Sequence, residues 1–174
     1  TQEGTHTLTY WTVDRAGRSE VAKELPFAVD KAGPTDLSFQ LDNGSAYTGS
    51  ITVSVTVTAH DAASGLHSLQ YRADPNGWSA WLPFSASFNI DLPAGDGSKF
   101  VELAVRDAAN NTAGPVNQTI VLDTQVPVAM LGLVPTYSTS RSVSLAYTTS
   151  PDTQYVTLYY SLDGGPRTYR ATYT

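Results

Sequence analysis

The chain repeats itself at a spacing of ~93 residues, and a repeat of that length constrains the fold more than any single motif does. Glu3-Gly4-Thr5-His6-Thr7-Leu8-Thr9-Tyr10 running into Val13-Asp14-Arg15-Ala16-Gly17 lies over the segment from Asp96 to Asn110. Gly4 then falls on Gly97, Asp14 on Asp107 and Ala16 on Ala109; without a gap, Asp30 meets Asp123 and Pro34 meets Pro127. A second alignment sets Thr52–Val55 over Ser142–Leu145 and Leu69–Asp74 over Leu158–Asp163, with the small changes of offset that loop deletions produce. One whole copy thus spans 35–125. Residues 1–34 read as the C-terminal strand hairpin of a preceding repeat, and 126–174 as the N-terminal strands of a following one.

Inside the whole copy the apolar period is two. Ile51, Val53, Val55, Val57 and Ala59 alternate with Thr52, Ser54, Thr56 and Thr58, the pattern of a strand with one buried face. Phe88, Ile90 and Leu92, and Val101, Leu103 and Val105, repeat it. Seven strands are predicted, at about 37–42, 51–60, 67–73, 80–84, 87–92, 99–106 and 117–123. Turn chemistry separates them: Asp42-Asn43-Gly44, Ala63-Ser64-Gly65, Asp74-Pro75-Asn76-Gly77, Ala94-Gly95-Asp96-Gly97, and Asn110-Asn111 with Gly114-Pro115. Seven short strands in about 90 residues predict an all-β, antiparallel two-sheet sandwich. Composition agrees, with 22 Thr and 17 Ser against one Met.

The turn-bearing segments resemble a known family. Glu3–Tyr10 leading into Val13-Asp14-Arg15-Ala16-Gly17, with Val29-Asp30 and Gly33-Pro34-Thr35 closing the copy, resembles the end of a bacterial immunoglobulin-like repeat. Ser64-Gly65-Leu66 before Leu69-Gln70-Tyr71-Arg72, and Val105–Asn110 before Val121-Leu122-Asp123-Thr124, resemble the same repeats, which are related in shape to fibronectin type III modules. The usual Asp-x-Ala-Gly-Asn turn is altered by Arg18 after Ala16-Gly17 and by Asn110 in the glycine position. The resemblance implies a tandem array on a secreted or cell-surface protein, serving as spacer, display or adhesion module. It specifies architecture far better than ligand.

Chemistry-bearing patterns are sparse. The chain lacks cysteine, and it has no nucleophile elbow, His-Glu-x-x-His, phosphate loop or dinucleotide glycine pattern. His60 and Asp61 are adjacent, but neighbours on a strand face opposite ways, so they do not form an acid–base pair. The chain is therefore read as a non-enzyme without catalytic residues. Asp30, Asp36, Asp61, Asp107 and Asp123 fall at turns and copy boundaries, where loops distant in sequence can gather oxygens for calcium. The stronger reading makes such residues acceptors for backbone N–H groups in their own turns. Asn43, Asn110 and Asn117 open glycosylation-type triplets that read as turn chemistry.

Aromatic residues are the other candidates. Trp11, Trp78 and Trp81 are possible ligand-facing rings for a sugar, whose apolar face stacks on an exposed ring. Tyr71 and Tyr160 share the inward register of Leu69 and Leu158, so they are expected in the core. The alternative function is thus a carbohydrate-binding or accessory module of a secreted polysaccharide-active enzyme. A net charge of -6 argues against nucleic acid, and no apolar run is long enough to insert in a membrane.

The end fragments are expected to need partners, because a lone hairpin or half-sandwich leaves apolar faces open. Leu8, Tyr10, Phe27 and Val29 are expected to pack on Val143, Leu145, Leu158 and Tyr160 of a second molecule, head to tail. The remaining partners are neighbouring repeats of the same polypeptide, and a carbohydrate or protein ligand. The start without Met reads as a segment of a longer chain, extracellular or at the cell surface.

Overall fold

The computed structural model describes residues 2–174. They form strands and turns with no α-helix, and no helix is long and apolar enough to cross a membrane. The chain divides into two compact units, Thr1–Thr124 and Gln125–Thr174.

The first unit opens with a hairpin of β1 (Gly4–Tyr10) and β2 (Lys23–Val29). After it come β3 (Thr35–Leu41), β4 (Tyr47–Thr48), β5 (Thr52–His60), β6 (Leu66–Ala73), β7 (Leu82–Pro83), β8 (Ser87–Asp91), β9 (Gly97–Asp107) and β10 (Thr112–Leu122). One sheet has the order β3-β5-β8 and the other β4-β10-β9-β6-β7; every pairing is antiparallel except β4 with β10. Both sheets contribute to one apolar core. Val53, Val55 and Val57 come from β5, Leu69 from β6, Val101, Leu103 and Val105 from β9, and Ile120 and Leu122 from β10. The alternate residues Thr52, Thr56 and Thr58 are exposed, as a period of two requires.

The hairpin copies β9–β10 pair for pair. Its register runs from Gly4↔Val29 to Tyr10↔Lys23, and adding the repeat spacing to each partner reproduces the register from Gly97↔Leu122 to Leu103↔Val116. Gly4 and Gly97 even share a left-handed backbone, with φ of 114° and 116°.

The second unit contains β11 (Ala129–Leu131) paired with β12 (Tyr147–Thr149), and β13 (Val156–Tyr160) paired with β14 (Thr168–Tyr173). Its Thr157↔Thr172 and Leu158↔Ala171 pairs echo Ser68↔Pro83 and Leu69↔Leu82 of β6–β7.

Several sequence expectations need correction. β4 was not foreseen; two residues give no periodicity, and its partner β10 is distant in the chain. The strand expected at 80–84 contracts to Leu82–Pro83, because the Ser79 hydroxyl accepts the Tyr71 N–H while the Ser79 N–H donates to the Tyr71 carbonyl, replacing regular ladder bonds there. Gly114-Pro115 lies inside β10 rather than in a turn, with the register shifting between Ala113 and Val116. Proline has no N–H for the ladder, and a bulge absorbs it. Gly114 is required there, since a Cβ would stand 2.9 Å from the Leu103 carbonyl oxygen and 3.0 Å from Leu37 Cδ2. Ile51, one residue before β5, is exposed rather than continuing the buried row of Val53, Val55 and Val57, and Tyr160 is exposed although Tyr71 packs against the core.

Candidate metal centre

Two turns of the same design, one per repeat, define the chemistry of the copy boundary. Asp14 N–H donates to the Arg18 carbonyl (2.9 Å), Gly17 N–H to the Asp14 carbonyl (3.0 Å), and Arg18 N–H to Asp14 Oδ1 (2.9 Å). In the next repeat Asp107 N–H donates to the Asn111 carbonyl (3.1 Å), Asn110 N–H to the Asp107 carbonyl (3.3 Å), and Asn111 N–H to Asp107 Oδ1 (2.8 Å). Asn110 takes the left-handed backbone of Gly17, at φ 69° against 81°. Asparagine is among the few residues that tolerate it.

The segment leaving the hairpin lies on the second of these turns. The Asn111 side-chain amide donates to the carbonyls of Asp30 (3.3 Å) and Ala32 (3.1 Å), and to Asp107 Oδ2 (2.8 Å). Gly33 passes so close that a Cβ would meet the Thr112 carbonyl oxygen at 3.3 Å, and Pro34 is buried. The copy boundary is therefore a packed joint.

Three acids converge at this joint. Asp30, Asp61 and Asp107 each bring an oxygen within 4.8 Å of the other two. Asp30 comes from the end of the hairpin, Asp61 from the turn after β5, and fully buried Asp107 from the end of β9. Backbone N–H groups hold them: Ala32 donates to Asp30 Oδ1 (3.0 Å), and Ser64 (3.0 Å) and Gly65 (2.6 Å) donate to Asp61 Oδ1. Like charges at such a range repel one another. Among the described residues no ion pair reaches any of the three; the ion pairs fall on Asp14, Glu20 and Glu102.

Of the five aspartates singled out in the sequence, Asp36 and Asp123 do not join the group. Asp36 sits exposed in a positive-φ kink at the start of β3, its Oδ2 accepting from the Thr35 hydroxyl (3.3 Å). The Asp123 N–H donates to the Thr48 carbonyl (2.9 Å), at the β4 end of the sheet. Asn111, the hub of the joint, was legible only as a turn residue. Its one further signal was alignment with Arg18.

The tryptophans divide. Trp11 is 56% exposed. Trp78 lies beside Arg72, whose guanidinium is 5.4 Å from the ring centre, and Arg72 pairs with Glu102. Trp81 stacks at 4.5 Å on Arg106, whose Nε donates to the Ser68 hydroxyl at 2.7 Å. Guanidinium groups thus cover one face of each of these two rings, on the β6–β9 pair. They pin the 74–81 connection to the sheet. Nothing assembles around His60 and His67, which are exposed, and the Asp61 carboxylate turns to its own loop.

No family model matches the chain, and no curated protein is significantly similar to it.

Proposed function

We propose that this chain is a non-catalytic, immunoglobulin-like repeat unit that spaces or displays other parts of a larger extracellular or cell-surface protein. In this reading the β3-β5-β8 and β4-β10-β9-β6-β7 sheets are the two layers of one antiparallel sandwich. The observation that carries it is the hairpin that reproduces β9–β10 pair for pair and then runs into the next copy through the bonded segment Asp30–Pro34. A tether that only needed length would do with a flexible linker; a Gly packed against backbone and two amide bonds from Asn111 to the Asp30 and Ala32 carbonyls favour a fixed angle instead. The motif resemblance to bacterial immunoglobulin-like repeats supports the same reading.

The test is the stiffness of the joint. The chain has no native cysteine, so Val21→Cys and Tyr47→Cys, both at exposed positions, allow specific spin labelling on either side of it. A single narrow distance distribution is expected. A broad one removes the basis for a spacer.

A further inference from the structure

We propose that the outer edge of β1 in one molecule pairs antiparallel with the outer edge of β13 in a second copy of the chain, so that one sheet runs across the two molecules. This goes beyond the spacer reading, since it rests on the repeat register and not on the stiffness of the joint.

Both edges are open. Among the described residues β1 pairs with β2 alone and β13 with β14 alone, so each strand keeps one side whose backbone groups meet no neighbouring strand, the surface on which strand addition occurs. The equivalent strands of the whole copy are covered on both sides: β9 lies between β10 and β6, and β6 lies between β9 and β7. The hairpin copies β9–β10, and β13–β14 copies β6–β7. The pairing present in the whole copy and missing from both fragments is thus the one between β6 and β9.

That pairing also sets the register. Gln70↔Ala104, Tyr71↔Leu103 and Ala73↔Val101 are partners across β6 and β9. Carried over at the two repeat spacings, they become Tyr159↔Trp11, Tyr160↔Tyr10 and Leu162↔Leu8. These six side chains are 45–73% exposed, whereas Ala73, Val101, Leu103 and Ala104 are buried. Behind β13, Val143, Leu145 and Leu158 line the apolar groove of the second unit at the places of Val53, Val55 and Leu69, which share a core with Val101 and Leu103. Leu8 and Tyr10 hold the places of Val101 and Leu103, so docking the edge brings them onto that groove.

Charge favours a second copy met in this orientation. The first unit carries seven Lys and Arg against fourteen Asp and Glu, and the second carries three against two. Joining the first unit of one molecule to the second unit of another sets opposite net charges together, while two first units repel. The contact uses different surfaces of the two molecules, so it runs head to tail and leaves an edge free for a further copy.

The test is disulfide trapping between separate chains, one carrying Thr9→Cys and the other Ser161→Cys, in a sequence with no native cysteine. Both positions are exposed, and they correspond to Glu102 and Arg72, an ion pair opposed across β9 and β6. Directly opposed residues come within disulfide reach. One chain is isotope-labelled, so that mass identifies the mixed dimer on mild oxidation. The mixed dimer is expected to form at least about tenfold faster than from Thr5→Cys with Ser161→Cys, because position 5 lies about 13 Å further along the strand. Leu162→Lys in the Ser161→Cys chain is expected to bring the rate down to that of the Thr5→Cys pair; Leu162 stands in solvent in the free molecule, so its own unit keeps its fold. Equal rates for the two pairs, or a rate untouched by Leu162→Lys, overturn the proposal. A chain carrying both Thr9→Cys and Ser161→Cys should give a ladder of linked molecules, and a bridge formed only within monomers overturns the second copy as the partner. Absence of the mixed dimer together with a narrow spin-label distance would sink the proposal and spare the spacer reading. A mixed dimer with a broad distance would do the reverse.

Discussion

Arg18 and Asn111 occupy the same corner of the same turn, one repeat apart, and only Arg18 brings a charge to its aspartate. The Asp14 carboxyl is held below the usual carboxylate range chiefly by the Arg18 backbone N–H, then by the Arg18 side chain. A carboxylate with a lowered folded value stabilises its structure above the unfolded value and loses that contribution as pH falls through the folded one. The Ala16 and Arg18 amide signals should therefore hold their native positions at neutral pH and move only below the ordinary Asp range. In Arg18→Gln the transition should shift upward toward 3.8, the ordinary value for the group. A titration followed by amide chemical shifts checks this; an unshifted midpoint would mean that the guanidinium contributes nothing.

Gly114→Ala should destabilise the first unit by about 2 kcal/mol or more. The new methyl meets backbone at 2.9 Å and Leu37 at 3.0 Å, and the residue must keep a φ of 95°. Urea denaturation measures it, with Gly95→Ala as the comparison: φ there is 86° with open space around the Cβ, so strain acts without a clash.

Arg106→Ala should cost about 1 kcal/mol, since it removes both the stack on Trp81 and the bond to Ser68. A double-mutant cycle with Trp81→Ala isolates the stack, for which a coupling of about 0.5 to 1 kcal/mol is expected. Zero coupling would leave the ring and the guanidinium as mere neighbours.

Two uncovered apolar faces complement each other in repeat terms, and the chain should associate head to tail through them. On the hairpin, Leu8 and Phe27 are about half exposed, although Val101 and Ile120 at the equivalent positions of β9–β10 are buried. The second unit carries an apolar groove of about 580 Å³ lined by Val143, Leu145, Val156 and Leu158. Those strands match the ones that β9–β10 accompany in the whole copy. Sedimentation over a concentration series should show mass rising with concentration, and Phe27→Ser should return the chain to monomer. A monomer at every concentration would refute the pairing.

Much of the fold was legible in the sequence because strands declare themselves locally. The alternation of Val53, Val55 and Val57 with Thr52, Ser54 and Thr56 requires one face to be buried, whatever covers it. Asp14 and Asp107 could be assigned to the same turn from spacing alone, and three hydrogen bonds of the two turns correspond: the Asp N–H to the carbonyl four residues on, the N–H three residues on to the Asp carbonyl, and the N–H four residues on to Asp Oδ1. Less was legible where partners are remote. β4 exists only because β10 runs beside it, and the bulge at Gly114 answers to Leu37 and Leu103 rather than to its neighbours in sequence.

For the acidic group the division is sharper. The sequence by itself determined which aspartates stand at turns and boundaries, because an Asp side chain bonds its own backbone within a few residues. Only the tertiary structure decided that Asp30, Asp61 and Asp107 meet while Asp36 and Asp123 do not. That choice depends on how the end of the hairpin is seated on the turn around Asn111, a matter of three chain segments meeting in space. Local propensity carries no information about such a meeting; packing of the backbone at Gly33 and the reach of one amide side chain supply it.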